Sequence, residues 1–200
     1  PLKSRHKVLG MLLLVSIITY LDRIAISAAA PKISDELGLS PAQMGLVFSA
    51  FVLAYGLFEI PGGWMGDRFG PRLILTRIVV WWSIFTAATG AARSYAVLLA
   101  CRFLFGAGEA GAYPNCSATI SRWFPFAERA RAHGMVWTAS RLGAAIAPLT
   151  VLPLQELLGW RPVFYLFGGV GFVWAVALYL WFRDSPRQKS GVSPAELAEI

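Results

Sequence analysis

Long apolar runs alternate with short polar stretches along the whole chain, and six of them stand out: 8–30, 43–65, 73–92, 96–120, 133–155 and 163–182. Each is close to the roughly 20 residues a helix needs to cross the hydrocarbon of a bilayer. The pattern therefore predicts an all-α membrane protein with six transmembrane helices. Ser40, Pro41 and Gln43 form a capping box with proline at the first helical position, ahead of the second run. Ser193-Pro194-Ala195-Glu196 repeats that signature after the sixth run and predicts a further helix starting at the membrane surface. The first run follows Lys3, Arg5 and Lys7 and has the look of a signal-peptide core. The charges of the later loops keep their parity only if it is a span.

Composition narrows the class. Of 200 residues, 56% are hydrophobic and 14% charged, against about 25% charged in an ordinary globular domain. A soluble globule, a disordered tail and a disulfide-stapled module are excluded. The net charge of +7 does not point to nucleic acid, because the basic residues sit in short loops and form no stripe. Twelve of them (Lys3, Arg5, Lys7, Arg68, Arg72, Arg77, Arg122, Arg129, Arg131, Arg183, Arg187 and Lys189) fall on one side of the six-span topology, and only Lys32, Arg93 and Arg161 on the other. The positive-inside rule then places both termini in the cytoplasm. Cys101 and Cys116 lie 15 residues apart in one span, about 22 Å along a helix. They cannot bridge each other and read as packing residues.

Six charges remain inside the spans: Asp22, Arg23, Glu59, Arg102, Glu109 and Arg141. Each such charge costs about 2.5–3.5 kcal/mol at mid-helix on insertion scales, so their accumulation predicts a polar or wet interior in which they pair. From the helical rise, Asp22 and Arg23 fall ~5 Å to the outer side of the midplane and Arg102 ~9 Å, with Glu109 and Arg141 within ~5 Å on the inner side. Tyr20 and Tyr55 fall at the midplane. Arg102 and Glu109 are seven residues apart and share a helix face, which Tyr113 extends. Burial favours the neutral carboxyl, whereas arginine keeps its charge. A carboxylate that exchanges protons beside a fixed cation is a coupling element for an anionic substrate, which points to Asp22, Arg23, Arg102 and Glu109. Glu59 reads better as a charge neutralised between helices, and Arg141 fits either role.

Several motifs carry no chemistry in this setting. Gly106-Ala107-Gly108-Glu109-Ala110-Gly111 fits a dinucleotide fingerprint, but it lies in an apolar helix rather than after a strand. It reads as small residues that let helices approach closely. The sequon Asn115-Cys116-Ser117 is inside a span. With His6 and His133 the only histidines, there is no zinc spacing, and no nucleophile elbow or P-loop is present. Neither an enzyme nor a metal site is expected, and no cofactor.

One loop is more specific. Gly63-Trp64-Met65-Gly66-Asp67-Arg68-Phe69-Gly70-Pro71-Arg72 resembles the signature between the second and third helices of the major facilitator superfamily. Its glycine turn presents Asp67, Arg68 and Arg72 at helix ends, where an aspartate can favour a helix N-terminus in one conformation and lose it in another. Tyr20-Leu21-Asp22-Arg23, Phe48-Ser49-Ala50-Phe51, Ile60-Pro61-Gly62-Gly63-Trp64, the stretch from Arg102 to Gly111, Trp123-Phe124-Pro125, Gly159-Trp160-Arg161 and Phe182-Arg183-Asp184-Ser185-Pro186 are similar to the anion:cation symporter branch. The resemblance covers nearly all of the chain.

That resemblance implies a twelve-helix fold in two halves, each an inverted pair of three-helix repeats. Residues 1–185 would be the N-terminal six-helix bundle and 186–200 the start of a cytoplasmic linker, with a C-terminal half of the same polypeptide beyond it. It implies proton-driven import of a sugar acid or other carboxylate across a bacterial inner membrane, with the proton as coupling ion. Asp22, Glu109 and Arg102 would serve coupling, with Arg102 communicating with Glu109. Arg23, Tyr20, Tyr55 and Arg141 would bind substrate, and Gly63, Asp67, Arg68, Gly70 and Arg72 would form the conformational switch, Asp67 partnering a helix of the second half. Glu59 stands where the branch would have glutamine. A six-span protein with a regulatory or assembly role is the alternative.

Overall fold

The computed structural model describes residues 3–200. Among the described residues eight α-helices follow in order: α1 (Ser4–Leu37), α2 (Pro41–Phe69), α3 (Pro71–Ala91), α4 (Tyr95–Glu109), α5 (Ala112–Trp123), α6 (Phe126–Leu158), α7 (Trp160–Trp181) and the short α8 (Pro194–Glu199), with a 3-10 turn at Pro186–Gln188 before the last. With α4 and α5 taken as one span, six are long and apolar enough to cross a membrane. The chain is an integral, multi-pass membrane protein.

Most helices run past the apolar runs that announce them. α1 and α6 extend by several residues at both ends, because polar helix termini continue into the headgroup region once the hydrocarbon is crossed. Pro31, Pro61, Pro148 and Pro153 lie inside helices, as membrane helices tolerate when neighbouring groups take up the freed carbonyls.

The fourth span departs from the expected continuous helix over 96–120. It opens at Ala110–Gly111, directly after Glu109. Pro114 supplies the cause: it has no N–H, and its ring crowds the carbonyl four residues earlier, that of Ala110. Gly111 adds low helix propensity. Both residues keep right-handed dihedrals, so the chain continues in the same direction.

Lateral packing follows a repeat. α1 lies against α6, α2 against α4, and α3 against α7. Exchanging the first three spans with the second three turns the α1–α6 contact into the α4–α2 contact and maps the α3–α7 contact onto itself. Three crossings separate equivalent spans, so the two repeats run in opposite directions. The small-residue stretch of the fourth span serves these contacts: Gly106 meets the Phe51 backbone of α2, and a Cβ on Gly62 would stand 2.7 Å from the Gly111 Cα. Cys101 and Cys116 are free and buried.

Local chemistry sets the ends. Ser40 Oγ accepts from Gln43 N (3.2 Å) and Gln43 Oε1 accepts from Ser40 N (2.9 Å), closing the capping box of α2. Ser193 Oγ accepts from Glu196 N at α8. The Glu196 side chain, however, does not return to Ser193. It caps α1 instead, accepting from Ser4 N (3.1 Å) and Arg5 N (2.9 Å). Arg5, 3% exposed, reaches Glu199 of α8 and Glu128 of α6, and Lys3 joins Glu199. α8 thereby ties the starts of α1 and α6 together. At the opposite end, Arg161 pairs with Glu36 and donates to the Gly90 and Ala92 carbonyls at the end of α3.

Candidate functional site

Tyr20 and Arg23 are three residues apart on α1 and share a face. The Arg23 guanidinium stands over three rings, at 4.9 Å from Tyr20, 5.0 Å from Phe51 and 4.9 Å from Tyr55. Its Nε (3.1 Å) and Nη2 (2.5 Å) both donate to Oε1 of Glu109. Glu109 is the last residue of α4, at the break in the span, and is fully buried, while the Arg23 side chain keeps 22% exposure. A cation in an aromatic cage, open on one side and bound to an enclosed carboxylate on the other, can exchange that partner for an anion of similar shape.

Arg102 is buried beside this pair, 4.3 Å from the Phe105 ring and 5.3 Å from that of Phe51. It makes no ion pair among the described residues. The direct partner of Glu109 is Arg23, 86 residues away in sequence. Sharing a face across seven residues still separates two side chains by about two helical turns, whereas α1 passes alongside Glu109.

Asp22, also buried, makes no ion pair among the described residues and lies close to Trp82 and Thr86 of α3. Asp22 Oδ2, Trp82 Nε1, Thr86 Oγ1, Arg102 Nε and Glu109 Oε2 are all buried without a hydrogen-bond partner. Native interiors leave few such atoms, and five around two carboxylates mark the place where protonation and bonding can change at least cost. Trp82 and Thr86 were not among the expected site residues. Their four-residue spacing, which puts an indole N–H and a hydroxyl on one face of an apolar span, was the available signal.

Arg141 of α6, exposed, also stands near Tyr20, its guanidinium 5.9 Å from the ring centre. One turn earlier on α6, Trp137 stacks on Tyr113 at 4.9 Å and 4°, and Tyr113 meets Tyr20 edge to face. Trp137 and Phe51 are further members that the sequence reading missed. Glu59, half-buried one turn beyond Tyr55, makes no ion pair among the described residues.

The signature loop sits apart from this cluster, at the end that carries both termini. Gly63 packs on the Pro114 ring. Gly70, with φ +91°, is the single residue between α2 and α3 and adopts a conformation that side chains disfavour. Arg68 stands over Trp64 and Phe69. Arg72 donates from its guanidinium to the Tyr179 carbonyl. The carboxylate at the N-terminus of α3 is not Asp67 but Asp184, whose Oδ1 accepts from Arg72 N at 2.7 Å. Asp67 belongs to the last turn of α2, is exposed, and has no partner among the described residues.

Comparison with known proteins agrees with this architecture. The family model described as Major Facilitator Superfamily matches residues 12–199. The probable sulfoacetate transporter SauU of Cupriavidus necator is 43% identical over 199 residues, all of this chain and 46% of its own length. The D-galactonate transporter of Escherichia coli is 36% identical over 202 residues, again all of this chain and 46% of its own. Among solved structures, a bacterial homolog to the human lysosomal transporter Spinster, inward-facing and unoccupied, superposes with a TM-score of 0.80 at 30% identity, over 98% of this chain and 47% of that one. The chain spans about half the length of the curated relatives it matches. An all-helical bundle of two opposed three-helix repeats, matched by sequence over nearly its full length, places this chain in the Major Facilitator Superfamily.

Proposed function

We propose that this chain is the N-terminal six-helix half of a secondary active transporter that imports an organic anion by proton symport. It would work in a bacterial inner membrane with both ends of this half in the cytoplasm, facing a second six-helix half across the open side of the Arg23 cage. One observation carries the reading: a fully buried glutamate holds a partly exposed arginine through a single oxygen. Ionised Glu109 and an incoming carboxylate compete for the same guanidinium. A proton arriving at Glu109 removes the charge that holds Arg23, and Arg23, which stays positive, receives the substrate between Tyr20 and Tyr55. Asp22 is the second proton site. Arg102, buried beside the Arg23–Glu109 pair, keeps its positive charge as protons come and go.

The names of two relatives, for sulfoacetate and D-galactonate transport, support an acid as cargo. Asp67, exposed and without a partner here, is available to a helix of the second half, and Arg68 and Arg72 stay anchored on their own side of that contact. No cofactor is required beyond the coupling proton.

The test uses the full-length protein in proteoliposomes with an imposed inward proton gradient. Glu109→Gln, which mimics the protonated residue, is expected to lose accumulation at least 10-fold while still exchanging labelled acid across the membrane. Accumulation against a gradient at the parent level would remove Glu109 from coupling.

A further inference from the structure

We infer that the substrate carries two anionic groups, one received by Arg23 and the other by Arg141. This rests on the transporter reading above and narrows it to a class of acid. The two guanidiniums stand 4.9 and 5.9 Å from the centre of the same Tyr20 ring. Their separation cannot exceed the sum of those distances, a span that a small molecule charged at both ends can bridge. They differ in occupation. Arg23 is engaged by Glu109, whereas Arg141 has neither a carboxylate nor a carbonyl acceptor among the described residues and its side chain is exposed.

The surroundings of Arg141 are aromatic. Trp137, one turn away on α6, stacks flat on Tyr113, which contacts Tyr20 edge to face. These rings form a continuous wall from one arginine to the other, against which the body of a substrate can lie. A guanidinium offers a flat fork that takes a carboxylate or sulfonate in two parallel bonds, so each end of such an acid has a matching receptor.

Charge balance points the same way. At mid-bundle there are three arginines (Arg23, Arg102 and Arg141) and two carboxylates (Asp22 and Glu109). With both carboxylates ionised, one positive charge is in excess. Once both are protonated, three are. A singly charged acid leaves two uncompensated, whereas a doubly charged acid returns the cluster to the charge of its empty state. In a low-dielectric interior the arrangement that keeps the charge constant is the one least resisted.

Uptake of labelled acids by the full-length protein tests this, with two pairs matched except for the second charge: acetate with sulfoacetate, and galactonate with galactarate. The two-headed member of at least one pair is expected to enter with kcat/KM at least 10-fold higher. Arg141→Gln should lower that value at least 10-fold more than it lowers that of the one-headed member, and monodisperse elution with an unchanged melting temperature in detergent reports that the variant is folded. If Arg141→Gln does not reach the membrane, Arg141→Lys is read in the same pair. It keeps the charge without the fork and should raise KM for the two-headed acid several-fold more than for its partner. Preference for the one-headed acid in both pairs, or an equal effect of the substitution on both members, overturns the inference and leaves the transporter reading standing. Entry of none of the four acids overturns both.

Discussion

Two groups of charges in this bundle are built in opposite ways. At the end carrying both termini, Lys3, Arg5, Glu128, Glu196 and Glu199 form a clamp in which each charged group has found a partner. Glu196, 4% exposed, spends both oxygens on the first amides of α1, a helix that starts with neither a side-chain cap nor an acidic first turn of its own. In the middle of the bundle, Asp22, Arg23, Arg102, Glu109 and Arg141 are held closer to the apolar core yet keep bonding capacity in reserve. Glu109 Oε2 and Asp22 Oδ2 are unpartnered, Arg102 is met mainly by aromatic faces, and Arg141 has no acid among the described residues. Charges that tie the helix ends together each hold an ionic or amide partner, with Arg5 Nε the one buried clamp atom left over, because an unpaired buried group is costly. Charges that must change partners are stored unsaturated, so that one proton decides which contact forms.

The contrast can be broken most strongly at its centre. Arg23→Ala leaves ionised Glu109 buried without its cation, which costs about 3–5 kcal/mol and should appear as a large loss of thermal stability together with loss of acid uptake. The double replacement of Arg23 and Glu109 by methionine should recover the stability but not the uptake. Unchanged melting of Arg23→Ala would mean that the central pair is no more than decorative. A smaller effect is expected at the clamp. Glu196→Ala removes the cap of α1, about 1 kcal/mol by analogy with other caps, and should speed hydrogen exchange at the Ser4 and Arg5 amides without altering KM for substrate. A shifted KM would join the two regions into one device. The smallest effect belongs to Glu199. The hydrogen bonds from Lys3 and Arg5 hold its carboxyl below the usual carboxylate range. Its contribution is therefore complete above the ordinary glutamate pKa and is lost as pH falls through its lower folded value. Carboxyl titration by NMR should find that midpoint below about 4.3; a midpoint at the ordinary value would detach Glu199 from the clamp.

Much of this was readable from single positions. Apolar runs gave the six spans, Ser40 and Ser193 gave two helix starts, and the glycines from 106 to 111 gave a close helix crossing. Asp22, Arg23 and Glu109 stood out because charge inside an apolar run is expensive wherever the run packs. Other features needed neighbours that the chain order hides. The break after Glu109 depended on Pro114, whose effect falls four residues upstream of itself. The acceptor at the start of α3 proved to be Asp184, 112 residues from Arg72, rather than nearby Asp67. Trp82, Thr86 and Trp137 gained meaning only beside Asp22 and Tyr113.

The division has a physical basis. A membrane helix satisfies its backbone hydrogen bonds within itself, so length, apolarity and caps, all local quantities, determine where the spans lie and that they cross a bilayer. Which carboxylate meets which guanidinium is a lateral matter, set by how helices far apart in the chain are turned toward one another. The sequence by itself put acids and arginines at a common depth. Only the packing of α1 against α6 and alongside the break between α4 and α5 joined Arg23 to Glu109 and left Arg141 near the Tyr20 ring without an acid.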